Sequence, residues 1–345
     1  MQYRTLGRTG IKVSPYALGA MLLGSSIANE HHDDAVRIIH KALDSGVNLI
    51  DTADAYSIAP HGASEMVVGK ALKGRRDRVI LATKFGRPMG DDPNQQGASR
   101  HWIMTAVEGS LRRLQTDYID LYQVHRLDPD TDTEETLSAL SDLIRSGKVR
   151  AIGAANTPAA DIVDAHWVAE RSGLARFRTE QPPYSMLNRR IEGDVLPVTQ
   201  RLGMGVLVWG PLAQGMLTGR IRAGRTTDLV RARMFTVFAD ERRISTVERL
   251  VALAAEVGVP ITHLAMGFVI AHPGVTSALI GPRTMAQLDD LIAGFGVALS
   301  DDILDRIDAI VPPGTEVGTL DQAYVPPAVQ HAVLRRRPIG ERACA

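Results

Sequence analysis

VNLIDTADAY, residues 47–56, is a short apolar run that ends on a carboxylate, Asp51, and reaches Tyr56 on the loop beyond it. The same grammar recurs along the chain. RVILAT leads into Lys84, IDLYQV into His125, VRAIGAA into Asn156, ARFRTE into Gln181 and MGVLV into Trp209. An earlier run, Tyr16 to Leu18, ends at Gly19, and a later one, TSALI, stops at Gly281. Runs of roughly four to seven Val-, Ile- and Leu-rich residues bounded by polar residues or glycine read as buried strands. Segments of helical length separate them. Such alternation predicts parallel strands, with the residue just past each strand on one shared face. Eight runs of this kind predict a single (β/α)8 TIM barrel of the α/β class, and in that architecture the shared face carries the active site.

Outward from these runs, YRTLGRTGIKVS at residues 3–14 reads as a two-stranded hairpin turning at Gly-Arg-Thr-Gly, placed to plug the bottom of a barrel. The helices between strands declare their faces and stops. Val36, Ile39 and Leu43 share a face that ends at Gly46. Thr131 and Glu134 form a predicted capping box ahead of Leu137, Leu140, Leu143 and Ile144, with Gly147 as the stop. Asp161 to Arg171 is a further helix, ending near Gly173.

Two stretches break the rhythm. Residues 211–242, after the seventh strand, are too long for an ordinary βα loop and carry Arg220, Arg222, Arg225, Arg231 and Arg233. They read either as a lid or ligand clamp or as a solvated basic loop. From Pro312 onward, with Pro326, Pro327 and Arg335–Arg337, the chain reads as an irregular, extended or partly disordered tail. The expected organisation is therefore one barrel domain, residues 1–311, and a tail, residues 312–345.

Formal net charge is zero over 345 residues, which removes the global electrostatic case for nucleic acid or an anionic membrane. One cysteine, Cys344, allows no internal disulfide framework and no cysteine zinc site. No stretch approaches the ~18 unbroken apolar residues of a membrane span, and MQYRTLGRTG has no apolar signal core. A cytoplasmic protein acting on a small molecule is the expectation.

A lysine closing a buried strand is costly unless paired, and Asp51 on the neighbouring strand end is its partner. That pair alone is equally a structural salt bridge. Tyr56 adds chemistry, because a phenol of pKa near ~10 becomes more acidic beside an ammonium group. His125, one strand along, is placed to bond the phenol or a substrate oxygen. Asp51, Tyr56, Lys84 and His125 together describe a tuned acid for an oxygen atom. Asn156 and Gln181 carry neutral amides, either structural caps or a donor–acceptor pair for a ligand carboxamide. Trp209 offers a flat face for a heteroaromatic ring, or packs in the core. After Gly281, Arg283 and Thr284 open a helix with Gln287, an anion site or a plain helix cap. No GxGxxG follows a strand, so a Rossmann fold is not supported.

The strings LGRTGIKVS, NLIDTADAY, VILATKFG, IDLYQVHRLDP, GKVRAIGAAN, EQPPYSMLNR, WGPLAQGMLTG and HPGVTSALIGPRT, in this order across residues 2–311, resemble the aldo-keto reductase family. The resemblance implies NADPH bound in extended form and reduction of an aldehyde or ketone to an alcohol. It implies Tyr56 as proton donor, tuned by Lys84 and Asp51, with His125 orienting the carbonyl. It gives Asn156 and Gln181 the carboxamide and Trp209 the nicotinamide face. Gly210, Pro211, Leu212, Gln214, Gly215 and Leu217 would run along the pyrophosphate. Arg283, Thr284 and Gln287 would hold the 2′-phosphate end, with Gly19, Met21 and Gly281 lining the remaining cofactor surface. Ala155, Gly210 and Leu291 depart from the serine, serine and asparagine common at these places in the family. Two rivals follow from the same residues. One is a cofactor-binding regulator resembling potassium-channel β subunits. The other is a Schiff-base barrel enzyme using Lys84. Substrate specificity is expected in the loops 57–64, 87–100 and 127–133 and in the tail. Oligomeric state is not legible from the sequence.

Overall fold

The computed structural model describes residues 1–24, 32–56, 61–222, 240–318, 329 and 331–339. Eight parallel strands close into a barrel: β3 (Tyr16–Gly19), β4 (Leu49–Asp51), β5 (Ile80–Phe85), β6 (Ile119–Val124), β7 (Val149–Ala155), β8 (Thr179–Gln181), β9 (Gly205–Val208) and β10 (Ser277–Ile280). β10 returns to pair with β3 and completes the ring. The eighth strand therefore has no free edge to protect. Only the last two residues of ARFRTE, with Gln181, are strand, so β8 is shorter than its apolar run suggests.

Alternation within each strand decides what enters the barrel. Leu49, Ala82, Leu121, Ala151 and Leu207 point inward and pack with Leu6 and Val13. Two residues further along three of these strands stand Asp51, Lys84 and Gln123, so the same faces that are apolar at the bottom are polar at the top. Leu6, just after β1 (Arg4–Thr5), and Val13, the last residue of β2 (Lys12–Val13), belong to the hairpin, which closes the lower end as expected. The closure is tight: a Cβ on Gly7 would sit 2.6 Å from the Gly205 backbone nitrogen.

Outward-facing Ile50, Leu81, Ile152, Val206 and Val208 meet the helical shell. Its described members are α1 (His32–Asp44), α2 (Ala63–Leu72), α3 (Arg100–Leu114), α4 (Thr133–Arg145), α5 (Ala159–Ser172), α6 (Val195–Leu202), α7 (Glu241–Glu256), α8 (Ile261–Ala271), α9 (Met285–Ala293) and α10 (Asp301–Ile310). Burying each Ile or Leu of such faces contributes roughly 1.5–3 kcal/mol. In α1 the buried face is Ala35, Ile38, Ile39 and Ala42, with Val36 and Leu43 at its margin. Gly46, Gly147 and Gly173 all take the positive φ that stops a helix.

The Thr131–Glu134 capping box does not form. α4 starts at Thr133, so Thr131 lies outside the cap position, and its hydroxyl donates to Asp128 at 2.7 Å. Glu134 instead pairs with Arg171 of α5. In a capping box the hydroxyl oxygen accepts from a backbone N–H of the first turn; with Asp132 at the cap position, Thr131 is one residue too early to do so and its hydroxyl serves the loop instead.

Of the long segment after β9, residues 213–218 form a 3-10 turn and Arg222 pairs with Glu248 of α7. Arg225, Arg231 and Arg233 lie outside the described residues, as do Pro326 and Pro327. The start of the tail is pinned to the loop after β8: Thr315 O accepts from Arg189 N, and Val317 N donates to Leu187 O. The Arg189 guanidinium donates to Asp308 and to Val311 O at 2.6 and 2.7 Å. Arg335–Arg337 are exposed. Among the described residues no single helix is long and apolar enough to cross a membrane.

Candidate active site

The carboxyl ends of β4, β5 and β6 bring four side chains together. Lys84, only 1% exposed, donates its three ammonium hydrogens to Asp51 Oδ2 at 2.5 Å, Thr52 O at 3.0 Å and Tyr56 Oη at 3.1 Å. An ammonium group has no fourth hydrogen to give. Tyr56 therefore receives a bond from Lys84, and among the described residues nothing accepts its own proton. His125 stands edge-on to Tyr56, with ring centroids 5.6 Å apart. Its backbone N–H is bonded to Phe85 O, while its buried Nδ1 has no partner among the described residues.

The electrostatics correct one expectation. The phenol of Tyr56 is not made more acidic. Burial raises its pKa, and the opposing pull of Lys84 does not overcome that. Burial is the main cause, and the ion pair limits what Lys84 can do against it. Asp51 sits against Lys84 and adds its own upward push, so the phenol sees a dipole rather than a bare cation. Burial also works against the Lys84 ammonium, but Asp51 and Tyr56 outweigh it and its pKa is raised. His125 is held well below its usual value by burial, then by Lys84, Arg87 and Arg126, and is neutral at pH 7. At neutral pH the group is thus a protonated phenol, a fixed ammonium–carboxylate pair and a neutral imidazole.

The other half of the rim is a chain of amides. Asn156 follows β7 at φ +60°, a left-handed conformation that asparagine tolerates. Its Nδ2 donates to His125 O at 3.1 Å and its Oδ1 accepts from Trp209 Nε1 at 3.0 Å. The indole edge is thereby fixed, and Trp209 remains part-exposed. Gln181 Nε2 donates to Asp51 Oδ1 at 2.9 Å, which ties this half to the first. Each amide keeps a second hydrogen and a second lone pair.

Gln123, which the sequence reading passed over, is fully buried and also donates to Asp51 Oδ1, at 3.3 Å. Its signal was available in period-two alternation: two residues past inward-facing Leu121, it had to point into the barrel. Asp54, a further buried carboxyl, donates its backbone N–H to Lys84 O at 3.1 Å. Neither of its carboxyl oxygens has a partner among the described residues, and burial, then Glu65, push its pKa well up.

The predicted cofactor surface divides. Gly19 ends β3, and Met21 is exposed just beyond it. A Cβ on Gly210 would meet nothing within 4 Å, and one on Gly281 nothing nearer than Gly19 O at 4.0 Å. The rim beside Trp209 therefore opens onto space that backbone can share with a ligand. From Gly210 the chain turns through positive φ at Ala213, Gln214 and Gly215. Pro211 is buried and Leu212 part-buried. Leu217 is fully enclosed and offers no surface to a ligand in this conformation, so it supports the turn from below. Thr284 caps α9 by accepting from Gln287 N, and Gln287 Oε1 accepts from Arg283 N, so both side chains serve the helix terminus. Leu291 is buried in the shell.

Residues 16–312 match the aldo/keto reductase family, and the chain belongs to it. It is 38% identical over 332 residues to the uncharacterized oxidoreductase YrpG of Bacillus subtilis, covering 92% of this chain and 98% of that one. Aldo-keto reductase YhdN of the same organism is 36% identical, over 90% of this chain and 94% of its own. A probable voltage-gated potassium channel subunit beta of Oryza sativa is 32% identical, over 90% and 97% respectively. The chain is accordingly an oxidoreductase of the aldo-keto reductase type.

Proposed function

We propose that this protein is an NADPH-dependent reductase that converts an aldehyde or ketone into an alcohol, with Tyr56 as proton donor. The observation that carries the reading is Tyr56 Oη at 3.1 Å from a Lys84 ammonium that Asp51 holds at 2.5 Å, with the phenolic proton left unclaimed among the described residues. The residue types also fit the cofactor: two amides with spare hydrogen-bonding capacity suit a carboxamide, a part-exposed indole suits a flat ring, and the open glycine rim suits close approach of a phosphate backbone. When bound, the nicotinamide supplies the hydride.

The protein's share is placement and the proton. Tyr56 Oη donates to the carbonyl oxygen as negative charge builds there, and Lys84 stabilises the phenolate left behind. Asp51, braced by Gln123 and Gln181, keeps Lys84 aimed. Neutral His125 orients the carbonyl. Arg283, Thr284, Gln287 and the segment Gly210 to Leu217 are assigned to the rest of the cofactor, with Arg283 favouring the 2′-phosphate. Residues 1–311 form the reductase unit in this reading and 312–345 its tail. A cytoplasmic location goes with it, on the single cysteine.

Tyr56→Phe should lower NADPH-dependent turnover by about 10²- to 10⁴-fold, the usual worth of a positioned acid, while NADPH binding stays measurable. The assay is loss of NADPH absorbance on a panel of aldehydes, ketones and sugar carbonyls, and turnover equal to wild type would remove Tyr56 from its role. The likeness to potassium channel β subunits favours a second reading, a cofactor-binding regulator. Tight NADPH binding with negligible turnover across the panel would select it. A Schiff-base role for Lys84 is disfavoured, because all three of its hydrogens are engaged and its pKa is raised.

A further inference from the structure

Two cations flank the reacting corner, and the proton-transfer scheme uses neither. β5 and β6 run in register, Lys84 beside Gln123 and Phe85 beside Val124, and His125 N bonds Phe85 O. Continued one step, that register sets the Gly86–Arg87 exit against His125–Arg126. A Cβ on Gly86 would lie 4.0 Å from Arg126 O, so the two exits do run together. Both arginines are exposed at the mouth. Among the described residues neither guanidinium has a carboxylate within 4 Å.

Other arginines of these units, Arg100 with Asp142 and Arg113 with Glu65, show that the same segments can pair a guanidinium. Asp128, two residues from Arg126, is turned into its own loop, where it accepts from Ala98 N, Asp130 N and the Thr131 hydroxyl. The charge of Arg126 is disfavoured first by its partial burial and then by Arg87. Both charges are felt at His125, and that of Arg87 at Tyr56. Two like charges converging on one mouth, with the adjacent carboxylate engaged elsewhere, leave a place for a third, negative group.

We propose that Arg87 and Arg126 form an anion subsite beside Tyr56 and His125, so that the preferred substrate is an aldehyde or ketone carrying a carboxylate or phosphate. Guanidinium groups match the planar, bidentate geometry of such anions. The inference rests on the reductase reading and deepens it. It also separates this sector from Arg283, which lies past β10.

Matched pairs test it: 4-carboxybenzaldehyde against 4-nitrobenzaldehyde, and glyceraldehyde 3-phosphate against glyceraldehyde, each with NADPH. The anionic member of at least one pair should have the higher kcat/KM, by about tenfold, and the pair that responds tells carboxylate from phosphate. The preference should shrink at high ionic strength. In R87A/R126A it should collapse toward one, mainly through KM, and R87K/R126K should restore part of it. No preference in the wild type, or a preference untouched by the double variant, overturns the subsite. If no aldehyde is reduced, the reductase reading fails, and calorimetric titration of terephthalate and of inorganic phosphate then decides the subsite separately. Binding of either that is lost in R87A/R126A sustains it, and no binding of either overturns it.

Discussion

The sector at β4–β6 and the sector at β7–β9 are built from opposite materials. The first uses charge: a buried ammonium, a buried carboxylate and a phenol, with an imidazole alongside. The second uses neutral groups, an indole bonded to the Asn156 amide and a Gln181 amide that reaches Asp51. Charges move a proton, because their interaction with a neighbour changes with protonation. Amides hold a shape across the pH range, because they do not titrate. The two sectors meet at Asp51, which Lys84 approaches through one oxygen and Gln181 and Gln123 through the other.

Breaking the charged sector should have the largest effect. Lys84→Met should reduce turnover by about 10²- to 10⁴-fold and leave Asp51 buried without its counter-charge, at a cost of about 3–5 kcal/mol. Adding Asp51→Asn should recover much of the thermal stability but none of the turnover. Steady-state rates and melting curves would separate the two roles, and a double variant as unstable as the single one would contradict the pairing argument.

Behind the amide sector lies a titrating group. Burial raises the Glu180 pKa to about 8, against 4.5 ordinarily, although Thr157 N donates to its Oε1. The folded state therefore holds this proton more tightly than the unfolded chain. Its contribution is complete below about pH 4.5 and is lost as pH rises through about 8, by at most about 1.4 kcal/mol per pH unit. Denaturation of Glu180→Gln at pH 5 and pH 9 should show a flatter dependence than wild type. An equal slope would mean that Glu180 is ionised in the fold.

Asn156→Ala should be milder still. It removes the acceptor that fixes the indole edge, and we expect KM for NADPH to rise about tenfold with kcat less affected. A larger loss in kcat than in KM would move Asn156 to the proton-transfer side. The smallest effect is on the pH profile. A raised Tyr56 pKa keeps the donor protonated, so the alkaline loss of reductase activity should lie above the ordinary phenol value of ~10. A limb well below that would show that bound cofactor reverses the shift.

Some of this could be read from the chain. Strand runs, helix stops at Gly46, Gly147 and Gly173, and the polar residue ending each strand are local signals, set by periodicity and by which backbone conformations a residue tolerates. They suffice for the barrel, and they bring Asp51, Tyr56, Lys84 and His125 to one rim. The Thr131 cap failed because the helix starts one residue later than the box spacing requires, which leaves Thr131 in the loop with Asp128. Gln123 was legible in the alternation of β6, but it lies within the strand and not at its end, where the other polar residues of the rim stand.

What the sequence determined by itself is the order of the eight units and the kinds of side chain at their ends. Only the folded molecule decided that the phenol is less acidic than its neighbour suggested, that Asp51 is shared by three donors, and that Arg87 and Arg126 lie on adjacent strand exits. Strand-forming tendency is local, whereas a group's proton affinity and its partners depend on burial and on charges brought close from distant parts of the chain.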